Sequence, residues 1–367
     1  MSKKILIATG GTGGHIYPAI ALAQQLIKDC PDNRILFVGG GLSDNRYFDS
    51  NAFDSSTVSC GAFTRKSPIS LVTACVNIGQ GIWQSRTIIR EFKPDVAVGF
   101  GSFYSFPPLI AAKLHSIPIV LHEANSIPGK VNRLLAPWAA AVGVHFPTTT
   151  DLLKGNCVEV GMPLRHGFQR GATSQAEAIS HFGLSPDFPT LLIFGGSQGA
   201  QAINSRVFGA LKLLSDRVPI QVIHIAGDAP SAESLQKIYK EAGIIASVKP
   251  YETRMDLAWQ AADLAVCRAG AGTIAEQFEF EVPAILVPYP RAADNHQEYN
   301  ADFIVKTVGA GKMIKEDAFN ERFLAYHLLE LFSENGAALI RMRAAITDYK
   351  KRVRTQDLCS LIKKVIL

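Results

Sequence analysis

A glycine-rich segment near the start of the chain, residues 10–14, limits the possible folds more than any other part of the sequence. It follows an apolar run at 5–8, which is typical of a buried parallel strand, and it precedes apolar residues at helical spacing across 16–27. The segment therefore predicts a strand, a tight turn and a helix N-terminus. Because the first amides of such a helix lack internal partners and its dipole favours negative charge, the turn suits a phosphate, a diphosphate or a developing oxyanion.

Two known nucleotide-binding turns fit this segment less well. A dinucleotide-binding turn needs a third glycine, but Gly14 is followed by His15 and Ile16. It also needs an acidic residue after the second strand, where this chain has Gly39 to Gly41. A P-loop needs Gly-Lys-Ser/Thr, which the segment does not contain. A turn that serves packing alone remains open, since glycine turns end many strands in such sheets.

The opening pattern occurs a second time. After an apolar strand at 190–194 the chain reads Gly195-Gly196-Ser197-Gln198-Gly199-Ala200, so strand, glycine pair and helix recur. We predict an α/β protein with two Rossmann-like, doubly wound domains that face one cleft. The domains are placed at 1–163 and 164–344, and a C-terminal helix at about 345–367 is expected to pack back on the first domain.

Apolar runs and helical stripes alternate along the chain. The predicted strands are 5–8, 35–38, 95–99, 117–121, 141–145, 190–194, 220–226, 244–248, 264–267 and 284–287. The predicted helices are 16–28, 71–92, 106–114, 130–137, 174–182, 317–332, 336–350 and 355–366. A second glycine turn at 99–103 ends a strand at the edge where such sheets bind ligands, and residues 158–165 are predicted to form a hinge or linker.

Composition narrows the class of protein. With 367 residues, two domains are expected, and 47% hydrophobic with 19% charged residues excludes a disordered chain. A net charge of +5 suits anionic substrates or an anionic lipid surface and is too weak to imply nucleic acid. The six cysteines contain no C-x-x-C pair, which favours buried free thiols in a reducing compartment. Without a signal peptide or a long apolar span, we expect a cytosolic protein or one peripheral to the cytosolic face of a membrane.

Residues 65–93 combine apolar residues with cations. We assign one helical stripe to the core: Leu71, Cys75, Ile78, Ile82 and Ile89. An adjoining apolar face consists of Ile69, Val72, Val76 and Trp83, flanked by Arg65, Lys66, Arg86, Arg90 and Lys93. Apolar residues ringed by cations predict an interfacial helix on anionic lipid, although a buried helix with solvated ends remains open.

Two further segments follow strands in the second half. In the turn at 268–276, Thr273 and Glu276 have the spacing of a capping box, which would be a structural role only. Polar residues at 294–297 lie just beyond another predicted strand end.

Five motifs in order resemble those of the MurG family of peripheral membrane glycosyltransferases. They are Gly10-Gly11-Thr12-Gly13-Gly14-His15, His122-Glu123-Ala124-Asn125, Gly161-Met162-Pro163-Leu164-Arg165, Gly195-Gly196-Ser197-Gln198-Gly199-Ala200 and Asp294-Asn295-His296-Gln297. The resemblance implies the GT-B fold and an inverting transfer of N-acetylglucosamine from UDP-N-acetylglucosamine to the 4-hydroxyl of N-acetylmuramic acid in lipid I. The product is lipid II for peptidoglycan.

The resemblance also implies a cellular setting. It places the enzyme peripherally on the cytoplasmic side of the inner membrane, with roles in cell-wall biogenesis, cell shape, division and the cell cycle. The expected partners are UDP-N-acetylglucosamine, lipid I and an anionic membrane surface, with other cell-wall synthesis proteins left open and no nucleic acid. No cofactor is expected, and a divalent cation is not expected to be essential.

His15 is the candidate base by residue type, because an unperturbed imidazole titrates near neutral pH; a role in orienting the loop or the acceptor remains open. Glu123 is assigned a supporting role, and Asn125 suits sugar hydroxyls. The matched positions imply Ser197 and Arg165 at the diphosphate, Glu276 at the ribose and Gln297 at the sugar. The remaining substrate-binding residues are Thr12, Gly13, Gly14, Glu252, Met255, Ala271, Gly272, Thr273 and His296; no metal ligand is predicted.

The chain departs from the family pattern at Met162, Leu164, Ser102, Phe103 and, in the uracil-facing segment, Glu252. Other interpretations remain: another GT-B enzyme that uses a UDP-sugar, a UDP-N-acetylglucosamine 2-epimerase, or a two-lobed binding protein. A nicotinamide dehydrogenase is disfavoured by the missing third glycine and the missing acid.

Overall fold

Each half of the chain builds its own parallel sheet. The computed structural model describes residues 2–61, 68–196, 201–214, 218–353 and 355–366. The chain divides into unit 1, residues 1–166 and 355–367, and unit 2, residues 167–354.

Unit 1 contains a seven-stranded sheet in the order β3-β2-β1-β4-β5-β6-β7. Its strands are β1 (Lys4–Ala8), β2 (Arg34–Gly39), β3 (Ser55–Thr57), β4 (Val96–Gly99), β5 (Ile119–Glu123), β6 (Ala141–Val144) and β7 (Cys157–Glu159). Its first helices are α1 (Gly13–Asp29), α2 (Pro68–Phe92), α3 (Phe106–Leu114) and α4 (Lys130–Leu135). The central strands β1 and β4 are almost wholly buried, as their continuous apolar runs predict.

Unit 2 contains a six-stranded sheet in the order β10-β9-β8-β11-β12-β13. Its strands are β8 (Thr190–Phe194), β9 (Gln221–Ile225), β10 (Ala246–Lys249), β11 (Leu264–Cys267), β12 (Ala284–Leu286) and β13 (Gly311–Met313). Its helices are α5 (Gln175–His181), α6 (Gln201–Lys212), α7 (Ala229–Glu241), α8 (Met255–Ala261), α9 (Ala271–Phe280), α10 (His296–Asp302) and α11 (Glu321–Arg352). Helix α11 is kinked at 333–336, between two of the predicted helices.

A last helix, α12 (Leu358–Ile366), belongs to unit 1. Its apolar side, including Leu358 and Ile362, enters the same core as α1, β1 and β4. Just before it, Gln356 pairs with Val160 in an isolated parallel bridge. The segment that leaves unit 1 near Val160 and the segment that returns to it near Gln356 therefore run side by side at the edge of unit 1. The return starts at residue 355 and not at 345, because 345–352 continue α11, where Ile346 is buried in unit 2.

The two units confirm the predicted pair of doubly wound α/β domains, and the structure adds detail that the patterns lacked. Three short strands, β3, β7 and β13, have no apolar run long enough to be recognised. Strand β7 also corrects the predicted linker at 158–165, since its first residues belong to the sheet and the units divide only after residue 166.

Helix α2 is present, but its buried face differs from the predicted stripe. Leu71 and Cys75 are exposed, whereas Ala74, Ile78 and Ile89 are buried. At Gly81 an added Cβ would lie 1.9 Å from the carbonyl oxygen of Ser59, so the backbone of α2 lies directly against the segment that contains Ser59. This contact sets the rotation of α2 about its axis. Within the described ranges, no helix is both long and apolar enough to cross a bilayer.

Candidate active site

Strand order locates the candidate site in each unit. In unit 1 the order reverses between β1 and β4, and in unit 2 it reverses between β8 and β11. Ligands of open parallel sheets bind beyond the carboxyl ends of the strands at such a reversal. The glycine turns at 9–12 and 99–103 follow β1 and β4, while those at 195–196 and 268–270 follow β8 and β11. The sequence motifs therefore lie where the topology of each sheet predicts a ligand.

One part of the first glycine turn packs against a side chain, and another part is open to solvent. Tyr104 lies against it, so that a Cβ added at Gly10, Gly11 or Gly40 would come within 2.7, 3.0 or 2.3 Å of its side chain. The packing interpretation is thus correct for this part of the turn. Gly14, by contrast, is exposed and has only the Thr12 hydroxyl near its Cβ position, at 3.8 Å.

Helix α1 begins at Gly13, with Thr12 as its N-cap residue. The Thr12 hydroxyl makes no capping hydrogen bond, and the residue is exposed. At Gly13, a Cβ would lie 2.9 Å from the ring of Tyr17, so only glycine fits beneath that ring. Thr12 and Gly14 are the two predicted residues of this turn that the structure presents to solvent.

His15 is oriented by the second glycine turn. Its Nδ1 lies 2.8 Å from the carbonyl oxygen of Phe100. Because a carbonyl oxygen can only accept, Nδ1 carries the proton of the neutral ring, and Nε2 carries the lone pair. Gly101 follows Phe100 and lies next to the imidazole; its φ of +75°, rather than lack of space, favours glycine there, since an added Cβ would be in ordinary contact at 3.7 Å. The arrangement gives His15 the tautomer that a general base using Nε2 requires.

Glu123 organises the loop after β5. It is the last residue of that strand and not a residue beyond it, as the predicted strand end implied. Its Oε1 accepts a hydrogen bond from the Asn125 amide at 3.0 Å, and its Oε2 accepts from the Gly129 amide and from Asn132 Nδ2, each at 2.9 Å. Burial raises the pKa of Glu123, although these hydrogen bonds oppose the rise. The carboxylate thus holds the segment that carries Asn125, which is half-buried.

Two histidines lie behind His15. His122 is buried against the ring of Phe100, and its Nε2 has no hydrogen-bond partner. Desolvation, with smaller electrostatic contributions from the neighbouring His145 and His15, lowers the pKa of His122 to about 3. Desolvation also lowers the pKa of His145 to about 4. Both rings are therefore neutral at physiological pH, as a packing role requires.

Arg165 lies at the end of unit 1. Its guanidinium is stacked over the ring of Tyr17 in α1, with 4.8 Å between Cζ and the ring centroid. Tyr17 in turn contacts Tyr47 edge to face, at 5.7 Å between centroids. A cation–π contact with Tyr17 therefore holds the guanidinium predicted to bind the diphosphate next to the first glycine turn.

In unit 2 the glycine pair follows β8 as predicted. Gly196 is exposed and adopts φ +84°. Ser197, the predicted phosphate contact, lies outside the described residues, and α6 begins at Gln201. Helix α6 thus follows β8 along the chain as α1 follows β1 in unit 1.

Glu276 lies inside a helix and not in its cap. Helix α9 begins at Ala271 with Gly270 as N-cap residue, three residues before Thr273, which would be the N-cap residue of the predicted capping box. The capping-box interpretation of Thr273 and Glu276 is therefore wrong. Instead, the Glu276 carboxylate accepts a hydrogen bond at 2.9 Å from the indole nitrogen of Trp259. Gly272 has open space at its Cβ position, which leaves the first turn of α9 accessible.

The loop after β10 is held by a buried carboxylate. Glu252 is buried; its Oε2 accepts from Lys249 Nζ at 2.5 Å, and its Oε1 accepts from the Arg254 amide at 2.7 Å. Burial raises the pKa of Glu252, but the hydrogen bonds from Lys249 and the Arg254 amide outweigh it, so the pKa is lowered overall. The structure therefore uses this side chain within its own loop, immediately before Met255 starts α8.

The loop after β12 positions Gln297 and His296. Gln297 accepts a hydrogen bond from the Tyr289 amide at 2.9 Å, and His296 Nδ1 lies 2.8 Å from the carbonyl oxygen of Ala293. Arg268, after β11, donates to the Val287 and Pro288 carbonyls and pairs with Glu316. These bonds connect the ends of neighbouring strands, so they shape the edge on which Gln297 lies.

Four residues that shape the ligand-binding edges of the two sheets were not predicted from the sequence. They are Tyr104, Asn132, Trp259 and Arg268. A polar residue directly after an apolar strand was a usable signal for Arg268. The other three act through contacts with residues distant in sequence, which no local pattern contains. Among the residues that the structure describes, no cluster of three His, Cys, Asp or Glu side chains is placed to hold a metal ion.

Known proteins similar to this chain share both sheets. Residues 5–144 match the Glycosyltransferase family 28 N-terminal domain, and 190–357 match the C-terminal domain of that family. A relative from Protochlamydia amoebophila, named UDP-N-acetylglucosamine--N-acetylmuramyl-(pentapeptide) pyrophosphoryl-undecaprenol N-acetylglucosamine transferase, is 52% identical over 99% of this chain and 96% of its own length. A relative of the same name from Chlamydia pneumoniae is 35% identical over 88% and 87%.

A solved structure agrees with these matches. The crystal structure of Acinetobacter baumannii MurG has a TM-score of 0.77 and 26% identity and covers 99% of both chains. Two parallel-sheet domains, each matching a domain of glycosyltransferase family 28, identify a GT-B glycosyltransferase, as predicted. The chain belongs to the MurG family, within glycosyltransferase family 28.

The buried histidines predict how stability depends on pH. The pKa of His122 is about 3 in the folded chain and near 6.5 in an unfolded one, so the unfolded state binds more protons between these values. The contribution of His122 to the free energy of unfolding is therefore fully present above pH 6.5. It decreases as the pH falls towards 3, and the loss is about 2 kcal/mol at pH 5. Urea unfolding at pH 7 and 5 measures the loss, which should be smaller in His122→Gln. The exposed His166→Gln variant should behave as the parent; equal losses in all three proteins would contradict the prediction.

Proposed function

We infer that the chain transfers N-acetylglucosamine from UDP-N-acetylglucosamine to the 4-hydroxyl of N-acetylmuramic acid in lipid I, and so forms lipid II. The single observation that carries this is the identity of 52% over nearly the whole chain with a relative named for that reaction. The attack inverts the anomeric carbon and releases UDP. Three tasks follow: a base removes the acceptor proton, the leaving diphosphate is stabilised, and both substrates are held in line.

The acceptor is assigned to unit 1. His15 accepts the proton of the 4-hydroxyl on Nε2, because its Nδ1 is committed to the Phe100 carbonyl. Thr12, Gly13 and Gly14 provide the turn and helix N-terminus beside it. Asn125 binds sugar hydroxyls, and Glu123 is a positioning residue that holds its loop.

The donor is assigned to unit 2. Glu276 accepts the ribose hydroxyls, and the backbone around Glu252 and Met255 faces the uracil. Ala271, Gly272 and Thr273 form the accessible first turn of α9, where a helix N-terminus favours a negatively charged group. Ser197 contacts the diphosphate, and His296 and Gln297 hold the sugar. Arg165, at the end of unit 1, keeps the diphosphate role that the resemblance implies. A reaction without a divalent cation remains a prediction.

The membrane surface is assigned to α2. Val72 and Val76 are exposed, Trp83 is 69% exposed, and Arg90 is exposed on the same helix, while Arg86 is half-buried. The side chain of Ile69 and the cations Arg65 and Lys66 lie outside the described residues. A helix that presents large apolar side chains next to cations suits the surface of an anionic bilayer. Peripheral attachment to the cytoplasmic side of the inner membrane would bring the enzyme to lipid I and connect it to cell-wall growth, cell shape and division.

The donor assignment predicts that Glu276→Ala weakens UDP binding by roughly 10- to 100-fold, because a charged hydrogen-bond acceptor contributes about 1.5–3 kcal/mol. Gln297→Ala should impair use of the sugar donor more than binding of UDP. Isothermal titration with UDP and steady-state kinetics with UDP-N-acetylglucosamine measure these effects. The exposed Glu233→Ala in the same unit serves as control. Parental UDP affinity in Glu276→Ala would contradict the assignment.

The base assignment predicts that His15→Ala lowers turnover by roughly 10² or more, since proton transfer in the transition state contributes a factor of this size. UDP affinity should change little, because the donor site is assigned to the other unit. The acid limb of the pH–rate profile should also disappear. A variant that keeps its turnover, or that loses UDP binding, would show that His15 serves another purpose.

The membrane assignment predicts that replacing Val72, Val76 and Trp83 together with serine lowers binding to anionic vesicles by roughly tenfold or more, since these side chains would no longer leave water. Co-sedimentation at low and high salt measures binding, and UDP affinity should be unchanged. A matched triple variant, Ile245→Ser, Tyr326→Ser and Ile340→Ser, removes exposed apolar residues from unit 2. If the two triple variants bind vesicles equally well, α2 is not the membrane surface.

A further inference from the structure

The indole of Trp259 is buried, yet its one polar atom points at a residue of the candidate donor site. Trp259 lies in α8 with 0% of its surface exposed and is among the largest fully buried side chains described. Its Nε1 donates to Glu276 Oε2 at 2.9 Å. An indole N–H can only donate, and an ionised carboxylate can only accept, so the direction of this bond is unambiguous.

The position of the indole is fixed from several sides. Its ring contacts Phe194, the last residue of β8, edge to face with 5.6 Å between centroids. Helix α8 begins directly after the loop that Glu252 holds through Lys249 and the Arg254 amide. The indole therefore has little rotational freedom, and the hydrogen bond is preorganised before any ligand binds.

The carboxylate that accepts this hydrogen bond lies near the strand reversal of unit 2. Glu276 is half-buried in α9; burial raises the pKa of Cys267, the last residue of β11, and the nearby charge of Glu276 adds a smaller rise. The carboxylate is thus close to the carboxyl end of β11, at the strand reversal of unit 2. A carboxylate offers about four lone-pair positions, and the bond from the indole takes one of them.

From these contacts we propose that Trp259 is a positioning residue, which orients the Glu276 carboxylate to accept from the two vicinal hydroxyls of the ribose, given the donor site assigned to unit 2. A carboxylate on a flexible side chain would lose rotamer entropy on binding the diol. The buried indole N–H removes that cost beforehand and sets the plane of the carboxylate. Its effect is on recognition of the ribose and not on the chemical step.

The test measures preference for the ribose hydroxyls, because general loosening of unit 2 would weaken all ligands alike. Isothermal titration compares UDP with 2′-deoxy-UDP and 3′-deoxy-UDP. The parent should prefer UDP by roughly tenfold or more over each analogue, as expected for a hydroxyl bonded to a charged acceptor. In Trp259→Phe this preference should fall by about fivefold or more, with a smaller change in affinity for the deoxy analogues. Trp138→Phe, an exposed tryptophan in unit 1, should keep the parental preference.

A second variant covers the case in which Trp259→Phe does not fold. Site-specific replacement of Trp259 by β-(3-benzothienyl)alanine keeps the shape of the ring and replaces the N–H with sulfur, so it removes only the donor. It should lower the preference to the same extent. A parental preference in either folded variant, or equal weakening of UDP and both analogues, would overturn the proposal.

Glu276→Ala separates this proposal from the donor site on which it rests. If Glu276→Ala loses the preference while the Trp259 variants keep it, the ribose site stands and the positioning role is wrong. If Glu276→Ala keeps the preference for UDP, the ribose is bound elsewhere and both assignments fail.

Discussion

The candidate acceptor edge depends on the packing of one aromatic ring against glycine backbone. Tyr104 lies where a Cβ at Gly10, Gly11 or Gly40 would collide with it, so the turns after β1, β2 and β4 approach more closely than other residues would allow. This approach brings the carbonyl of Phe100 to 2.8 Å from His15 and so determines which ring nitrogen carries the lone pair. The glycines of the first turn therefore act on the chemistry indirectly, through the geometry of a neighbouring turn.

In unit 2, buried polar contacts fix the residues at the edge of the sheet. Glu252 accepts a hydrogen bond within the loop after β10, Arg268 donates to the loop after β12, and Trp259 donates to Glu276 in α9. Unpaired, such buried groups would be costly, but here each has a partner, so they restrict the loops to one arrangement. In both units, side chains behind the predicted site hold the residues that would touch the substrate.

Local patterns were sufficient for the architecture and for the glycine turns at the strand reversals, while the roles of the individual site residues stay predictions. Continuous apolar runs identify the central strands, because parallel strands are buried on both faces, and glycine turns after them indicate the strand reversal. Patterns fail where a role depends on partners far along the chain. Thr273 and Glu276 have the spacing of a cap, but the helix begins at Ala271, and only the contact with Trp259 reveals what the carboxylate does. Likewise, Leu71 fits the apolar stripe of α2, but the close approach at Gly81 turns it outward.

The return of the chain to unit 1 has a consequence for synthesis on the ribosome. Leu358 and Ile362 fill the core beside α1, β1 and β4, yet they follow the whole of unit 2 in sequence. A nascent chain can therefore complete the core of unit 2 while that of unit 1 still lacks a helix. Domains generally fold as units during translation, in order from the N-terminus. In this chain the two units are completed in the opposite order: unit 1 begins first, but its core gains Leu358 and Ile362 only after all of unit 2 has been synthesised.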